Sequence, residues 1–249
     1  MGQHTILFDE KHVGELVSED YRRADIFKSF GIDFCCGGKK SVSQVCEDKG
    51  VDKNELVKAL MDLQFQVTGP KQDYRDWSPD FMCDYITHTH HKYVTNAIPV
   101  IRAYIEKVAR VHGGDNPSLV EIVHLFNELA NELLDHMRKE EVILFPYIKN
   151  MAAAKHSGLR LPPPPFVTIK NPIAAMEADH EGAGNAMAKI HELTRNFTPP
   201  EHACATYRVS FASLKAFEDD LHLHVHLENN ILFPAAIAME KTLLNPIGK

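Results

Sequence analysis

Two stretches of this chain are near copies of each other. HMRKEEVILFP runs from His136 to Pro146, and HVHLENNILFP runs from His224 to Pro234. In each, a glutamate follows the histidine by one helical turn, so Glu140 shares a face with His136, and Glu228 with His224. The stripe opens one turn earlier on an acid, Glu132 or Asp220, and runs on to Leu144 or Leu232. A stripe that passes into Leu-Phe-Pro reads as facing inward, and buried carboxylates are costly unless they are paired or bound to a metal. The chain is thereby constrained to helices that enclose a polar site, and to building that site twice.

Helix starts are written the same way four times. Ser78-Pro79, Asn116-Pro117, Asn171-Pro172 and Thr198-Pro199 each place a capping residue before a proline, and proline at the first helical position gives up an N–H that would be unpaired anyway. The spacing predicts helices over 79–112, 117–150, 172–195 and 199–240, with Pro146 and Pro234 kinking or ending theirs. GLRLPPPPFVTIK reads as a stiff, extended crossing between the second and third. Short links within pairs and a longer one between them imply an all-α fold, a four-helix up-down-up-down bundle over 78–245. Ahead of it, residues 1–66 read as a small helical domain, with CCGGKK as a loop, Ser41 opening a short helix and Asp52 capping another. Residues 67–77, VTGPKQDYRDW, read as a linker.

The first and third helices hold the partners of the repeated pair. His91 lies in THTHHKY and His180 in MEADHEGAGNAMA, and His91 precedes His136 by almost the same stretch as His180 precedes His224. The bundle therefore reads as a duplicated helical hairpin. Four imidazoles and two carboxylates suit a dinuclear centre, with His91 and His136 on one metal, His180 and His224 on the other, and Glu140 and Glu228 bridging. That donor set suits two non-haem iron ions, and it also accepts zinc or manganese. A single His-x-x-x-Glu is usually a surface pair; two copies at one spacing to Leu-Phe-Pro argue against that. Glu132 and Asp179, with Glu177 and Asp220, read either as outer carboxylates that orient imidazoles or relay protons, or as solvated surface acids. His88 and His90 read as bystanders, His88 being the substitute for His91, and His222 and His226 read as surface residues.

The bulk properties narrow the partners. A formal charge of −7 and no extended basic block argue against a nucleic-acid partner. No apolar run approaches the roughly 18–20 residues of a membrane span. The opening MGQHTILFDEKHVGE lacks a secretory pattern, and Ile6 stands where myristoylation needs Ser or Thr. Five irregularly spaced cysteines fit a reducing compartment, so the expected location is cytoplasmic, away from membranes. Cys35 and Cys36 are adjacent, with Cα atoms about 3.8 Å apart, so a bond between them would be strained. Lys39, Lys40 and a helix start near Ser41 predict a lowered thiol pKa, hence a redox, exchange or metal-binding pair, with Cys46 as a possible third member. Cys83 and Cys204 read as packing residues.

At these residues the chain resembles the Repair of Iron Centers family, di-iron proteins with a hemerythrin-like domain. His91, HMRKE, MEADH and HVHLENNILFP carry the resemblance in the bundle, and residues 12–50 resemble that family's small N-terminal domain. The resemblance implies His91, His136, Glu140, His180, His224 and Glu228 as ligands of a di-iron centre. It implies repair of iron–sulfur clusters damaged by nitric oxide or peroxide, with damaged iron–sulfur proteins as partners, nitric oxide or dioxygen as small ligands, and a possible homodimer. Asp179 departs from relatives that carry glutamate before the third histidine. Nitric oxide reduction to nitrous oxide at the same centre is a second reading, and an oxygen- or nitric-oxide-binding or sensing module like true hemerythrins is a third. A ferritin-like oxidase needs Glu-x-x-His, a spacing not seen here.

Overall fold

The computed structural model describes residues 8, 10–64, 73–158, 161, 164 and 166–244. Among them the regular elements are helices: α1 Val13–Glu19, α2 Arg23–Ser29, α3 Val42–Lys49, α4 Lys53–Gln64, α5 Pro79–Ile86, α6 Lys92–His112, α7 Ser118–Lys139, α8 Phe145–Ser157, α9 Lys170–Leu193, α10 Ala205–Leu227 and α11 Phe233–Leu244. Wide π turns over Thr87–His91, Glu140–Leu144 and Glu228–Leu232 join α5 to α6, α7 to α8, and α10 to α11. No described helix is long and apolar enough to cross a membrane.

At Pro146 and Pro234 the helix does not end, ending being one of the two outcomes expected there, and a π turn is itself a place where helices bend. Pro146 and Pro234 lie in the first turns of α8 and α11, and those helices run on to Ser157 and Leu244. A proline cannot give the i→i−4 bond; the wider turn just before it takes up the missing bond, so the helix continues. The start at Thr198-Pro199 is corrected: α10 begins at Ala205. Pro199 itself precedes Pro200, and a residue before proline is pushed out of the α region. Prolines 162–165 lie largely outside the described residues.

The chain divides into two compact units, Met1–Ser78 with Val225–Ala235, and Pro79–His224 with Ala236–Lys249. In the first, Ser41 caps α3 through a reciprocal box with Gln44, and the Asp52 carboxylate accepts from the amide of Asn54 at 2.8 Å. Leu16, Phe27, Phe34, Leu56 and Leu60 form its core. The stretch read as a linker ends in a packed 3₁₀ turn, Tyr74–Asp76, whose Tyr74 is buried against Tyr21 and Trp77.

Within the first unit, Asn230 holds the Cys-Cys loop. Its amide nitrogen donates to the carbonyls of Cys35 at 3.2 Å and Phe34 at 3.4 Å, and approaches Nδ1 of His226 at 3.2 Å. His226 is not the surface residue expected: it is fully buried against the rings of Phe34 and Tyr21, and burial pulls it down to about 3. Kept neutral, it accepts from Asn230 and turns Nε2 toward Ser18 Oγ at 3.5 Å. Gly14 and Gly38 leave room for Asn230; a Cβ on Gly38 would lie 2.6 Å from both the Asn230 oxygen and the Phe34 carbonyl. Gly38→Ala is expected to destabilise this unit by about 1–3 kcal/mol, read as a lower unfolding midpoint together with faster alkylation of Cys35; an unchanged midpoint and alkylation rate would refute the clamp.

In the second unit, Phe126 of α7 and Phe217 of α10 meet edge to face with centroids 5.3 Å apart, both fully buried. Buried Glu240 of α11 accepts from the amide of Ile169 at 2.8 Å and the hydroxyl of Thr168 at 2.6 Å, closing the N-terminus of α9.

Candidate metal centre

The helices carry five histidine and glutamate side chains into the interior of the second unit. His91 ends the first π turn, and Glu140 opens the second directly after α7, which carries His136. His180 comes from the middle of α9 and His224 from α10. All five are at most 2 % exposed. Glu140 Oε2 lies 3.4 Å from Nε2 of His91 and 3.3 Å from Nε2 of His136. The Nε2 atoms of His136 and His180 are 3.0 Å apart. For imidazole nitrogens at about 2.1 Å from a metal, neighbours at right angles stand about 3.0 Å apart, so this pair has the spacing of two ligands of one ion.

The side chains sort into two groups whose donor atoms lie within 4.8 Å of one another, His91 with Glu140 and His224, and His136 with Glu140 and His180. The grouping differs from the pairing expected within each hairpin. His91 goes with His224 and His136 with His180, and Glu140 stands between the groups. In a four-helix ring each helix has two neighbours, so a duplicated hairpin is compatible with either pairing, and the packing selects one. Glu228 lies one turn past His224 on the same continuous helix and is fully buried.

Outer contacts set the direction of the imidazoles. His91 Nδ1 donates to Glu141 Oε1 at 2.8 Å, and His136 Nδ1 approaches Asp179 Oδ2 at 3.3 Å, each directing Nε2 toward the cluster. Partial burial pushes the Asp179 carboxyl up, but hydrogen bonds from His136 and Lys139 outweigh it and hold the group below its ordinary value. Sequence reasoning missed Glu141, which follows Glu140 and shares no stripe with His136. Glu132, by contrast, is exposed. Asp220 pairs with His90 at 2.9 Å, and His90, taken as a bystander, is buried and stacked on His224 with centroids 5.4 Å apart. His88 is exposed.

The Cys-Cys loop departs from its expected electrostatics. Asp33 accepts from the amides of Cys35, Cys36 and Gly37 at 2.9, 3.1 and 3.0 Å, and the Cys35 thiol also faces Asp33, at 3.1 Å. The hydrogen bond with Cys36, then burial, then Asp33 push the Cys35 thiol well up rather than down. Lys40 is turned to Asp48 at 2.6 Å. Asp33, Cys35 and Cys36 group their donor atoms, and Cys46 is buried in α3 outside that group.

A helical bundle with paired His-x-x-x-Glu turns around a buried histidine cluster defines a hemerythrin-like protein. The family model described as the hemerythrin HHE cation-binding domain matches residues 84–236, and one described as ScdA_N, a domain of unknown function (DUF542), matches 9–64. The iron–sulfur cluster repair protein YtfE of Dickeya chrysanthemi is 33 % identical over 233 residues, 94 % of this chain and 99 % of that one. The YtfE protein of Pectobacterium carotovorum subsp. carotovorum is 34 % identical over 236 residues, at the same shares. A probable iron–sulfur cluster repair protein of Haemophilus influenzae is 33 % identical over 235 residues, 92 % and 98 % of the two chains. This chain belongs to the hemerythrin HHE family, among its iron–sulfur cluster repair proteins.

Proposed function

We propose that the protein repairs iron–sulfur clusters damaged by nitrosative or oxidative stress, through a di-iron centre held by His91, His136, Glu140, His180, His224 and Glu228. The observation that carries this reading is Glu140, whose one oxygen lies within 3.4 Å of imidazole nitrogens from both groups, the place of a bridging carboxylate. A buried carboxylate among imidazoles fits a cation better than an unoccupied core. The mirrored position of Glu228, one turn past His224, supports it as a second bridge. Two iron ions held there would supply Lewis-acid and one-electron chemistry toward a small ligand such as nitric oxide or dioxygen.

The chain's own residues prepare the centre. Glu141 and Asp179 hold the His91 and His136 rings in the tautomer that turns an unprotonated Nε2 toward the cluster. Phe145, stacked on His91 with centroids 5.6 Å apart, helps keep bulk water from that side. Damaged iron–sulfur proteins are the clients in this reading, and Cys35 and Cys36 serve exchange or docking. The test incubates a nitric-oxide-inactivated [4Fe–4S] enzyme with the iron-loaded protein. Recovery of activity matched by loss of iron from the protein is expected. Recovery no better than with free ferrous salt would overturn repair. Steady nitrous oxide production with a reductant, without iron loss, would replace it by nitric oxide reduction.

A further inference from the structure

The expectation that Cys204 packs in the interior is wrong: the residue is exposed, just before the first residue of α10. Its Sγ lies 3.8 Å from Nε2 of His112 at the C-terminal end of α6. Other residues hold the pair in place. The Tyr207 ring meets the His112 imidazole at 5.6 Å and 61°, and the Tyr207 hydroxyl takes a hydrogen bond from Asn116 at 3.3 Å. The Arg208 guanidinium donates to the carbonyls of Ala203 at 3.2 Å and Glu201 at 2.9 Å, fixing the turn that delivers Cys204. The hydrogen bond to His112 first, then the Tyr207 amide, hold the thiol below its ordinary value. α6 spans 21 residues, about 31 Å at 1.5 Å per residue, so His112 and His91 mark opposite ends of one helix.

We propose that Cys204 and His112 form a reactive thiol pair, separate from the metal centre, that takes up mixed disulfides from low-molecular-weight disulfides of the glutathione class. His112 Nε2 accepts the thiol proton. The Cys204 sulfur then attacks one sulfur of the disulfide, a new S–S bond forms as the old one breaks, and the departing thiolate takes up the proton. Cys204 is oxidised and the small disulfide is reduced to one thiol and one mixed-disulfide half.

The test uses the full chain and oxidised glutathione at pH 7, with peptide mass mapping to separate Cys204 from Cys36. The larger thiolate fraction that His112 favours is partly offset by lower intrinsic nucleophilicity. Assisted by His112 at 3.8 Å, Cys204 in the native chain is expected to react about threefold faster than in His112→Gln and than in the denatured chain. His112 sits half-buried at a helix end, and the native-versus-denatured comparison needs no variant at all. Equal rates in either comparison would overturn the proposal.

Discussion

Replacing Glu140 with alanine is expected to empty both metal positions, whereas His180→Ala is expected to leave about one iron per chain. The contrast follows from the geometry: Glu140 belongs to both groups of donor atoms, and His180 only to the group with His136. Losing even an outer contact to a ligand weakens binding by about 10–100-fold, so losing a shared ligand should drop iron below detection after gel filtration. Elemental analysis of iron per chain is the readout. The metal-free Glu140→Ala protein should unfold no earlier than the metal-free wild type, because the substitution removes a fully buried carboxylate that otherwise must be compensated. Two irons retained in the variant would sink the bridging role. One iron retained would assign Glu140 to a single metal.

The second large effect is on stability. Stripping metal from the wild type is expected to lower its thermal midpoint by about 5–10 °C. A ligand that binds only the folded state at a hundred times its dissociation constant stabilises by about 2.7 kcal/mol, and each kcal/mol moves the midpoint by about 2–4 °C for chains of this size. The sign is physical: without a cation, Glu140 stays buried among imidazoles whose nitrogens converge on it. Scanning calorimetry of iron-loaded, stripped and reloaded protein checks it, and the midpoint should return on reloading. A stripped protein as stable as the loaded one would mean that the cluster is satisfied without metal.

How far the sequence could be read depended on range. Periodicity, the repeated Leu-Phe-Pro stretch and proline-preceded starts are local, and they delivered helices close to those observed at α3, α4 and α5. The same local rule failed at Thr198-Pro199, where the second proline overrode the first; at Pro146 and Pro234 it marked where the helix is disturbed, and the disturbance is a π turn ahead of a continuing helix. Charges near Cys35 misled for a related reason: proximity in sequence says nothing about direction, and Lys40 turns to Asp48 while Asp33 turns to the Cys35 thiol.

By itself, the sequence determined an all-α chain with a repeated His-x-x-x-Glu stretch and named the histidine and glutamate types a metal centre needs. Those properties follow from intervals along one helix, which the 3.6-residue repeat sets without reference to any neighbour. Only the tertiary structure decided that His91 joins His224 and His136 joins His180, that Glu141 rather than Glu132 reaches an imidazole, and that Cys204 faces solvent beside His112. Such pairings depend on which faces of different helices meet, and core packing settles that choice among arrangements that one strand of sequence leaves equivalent.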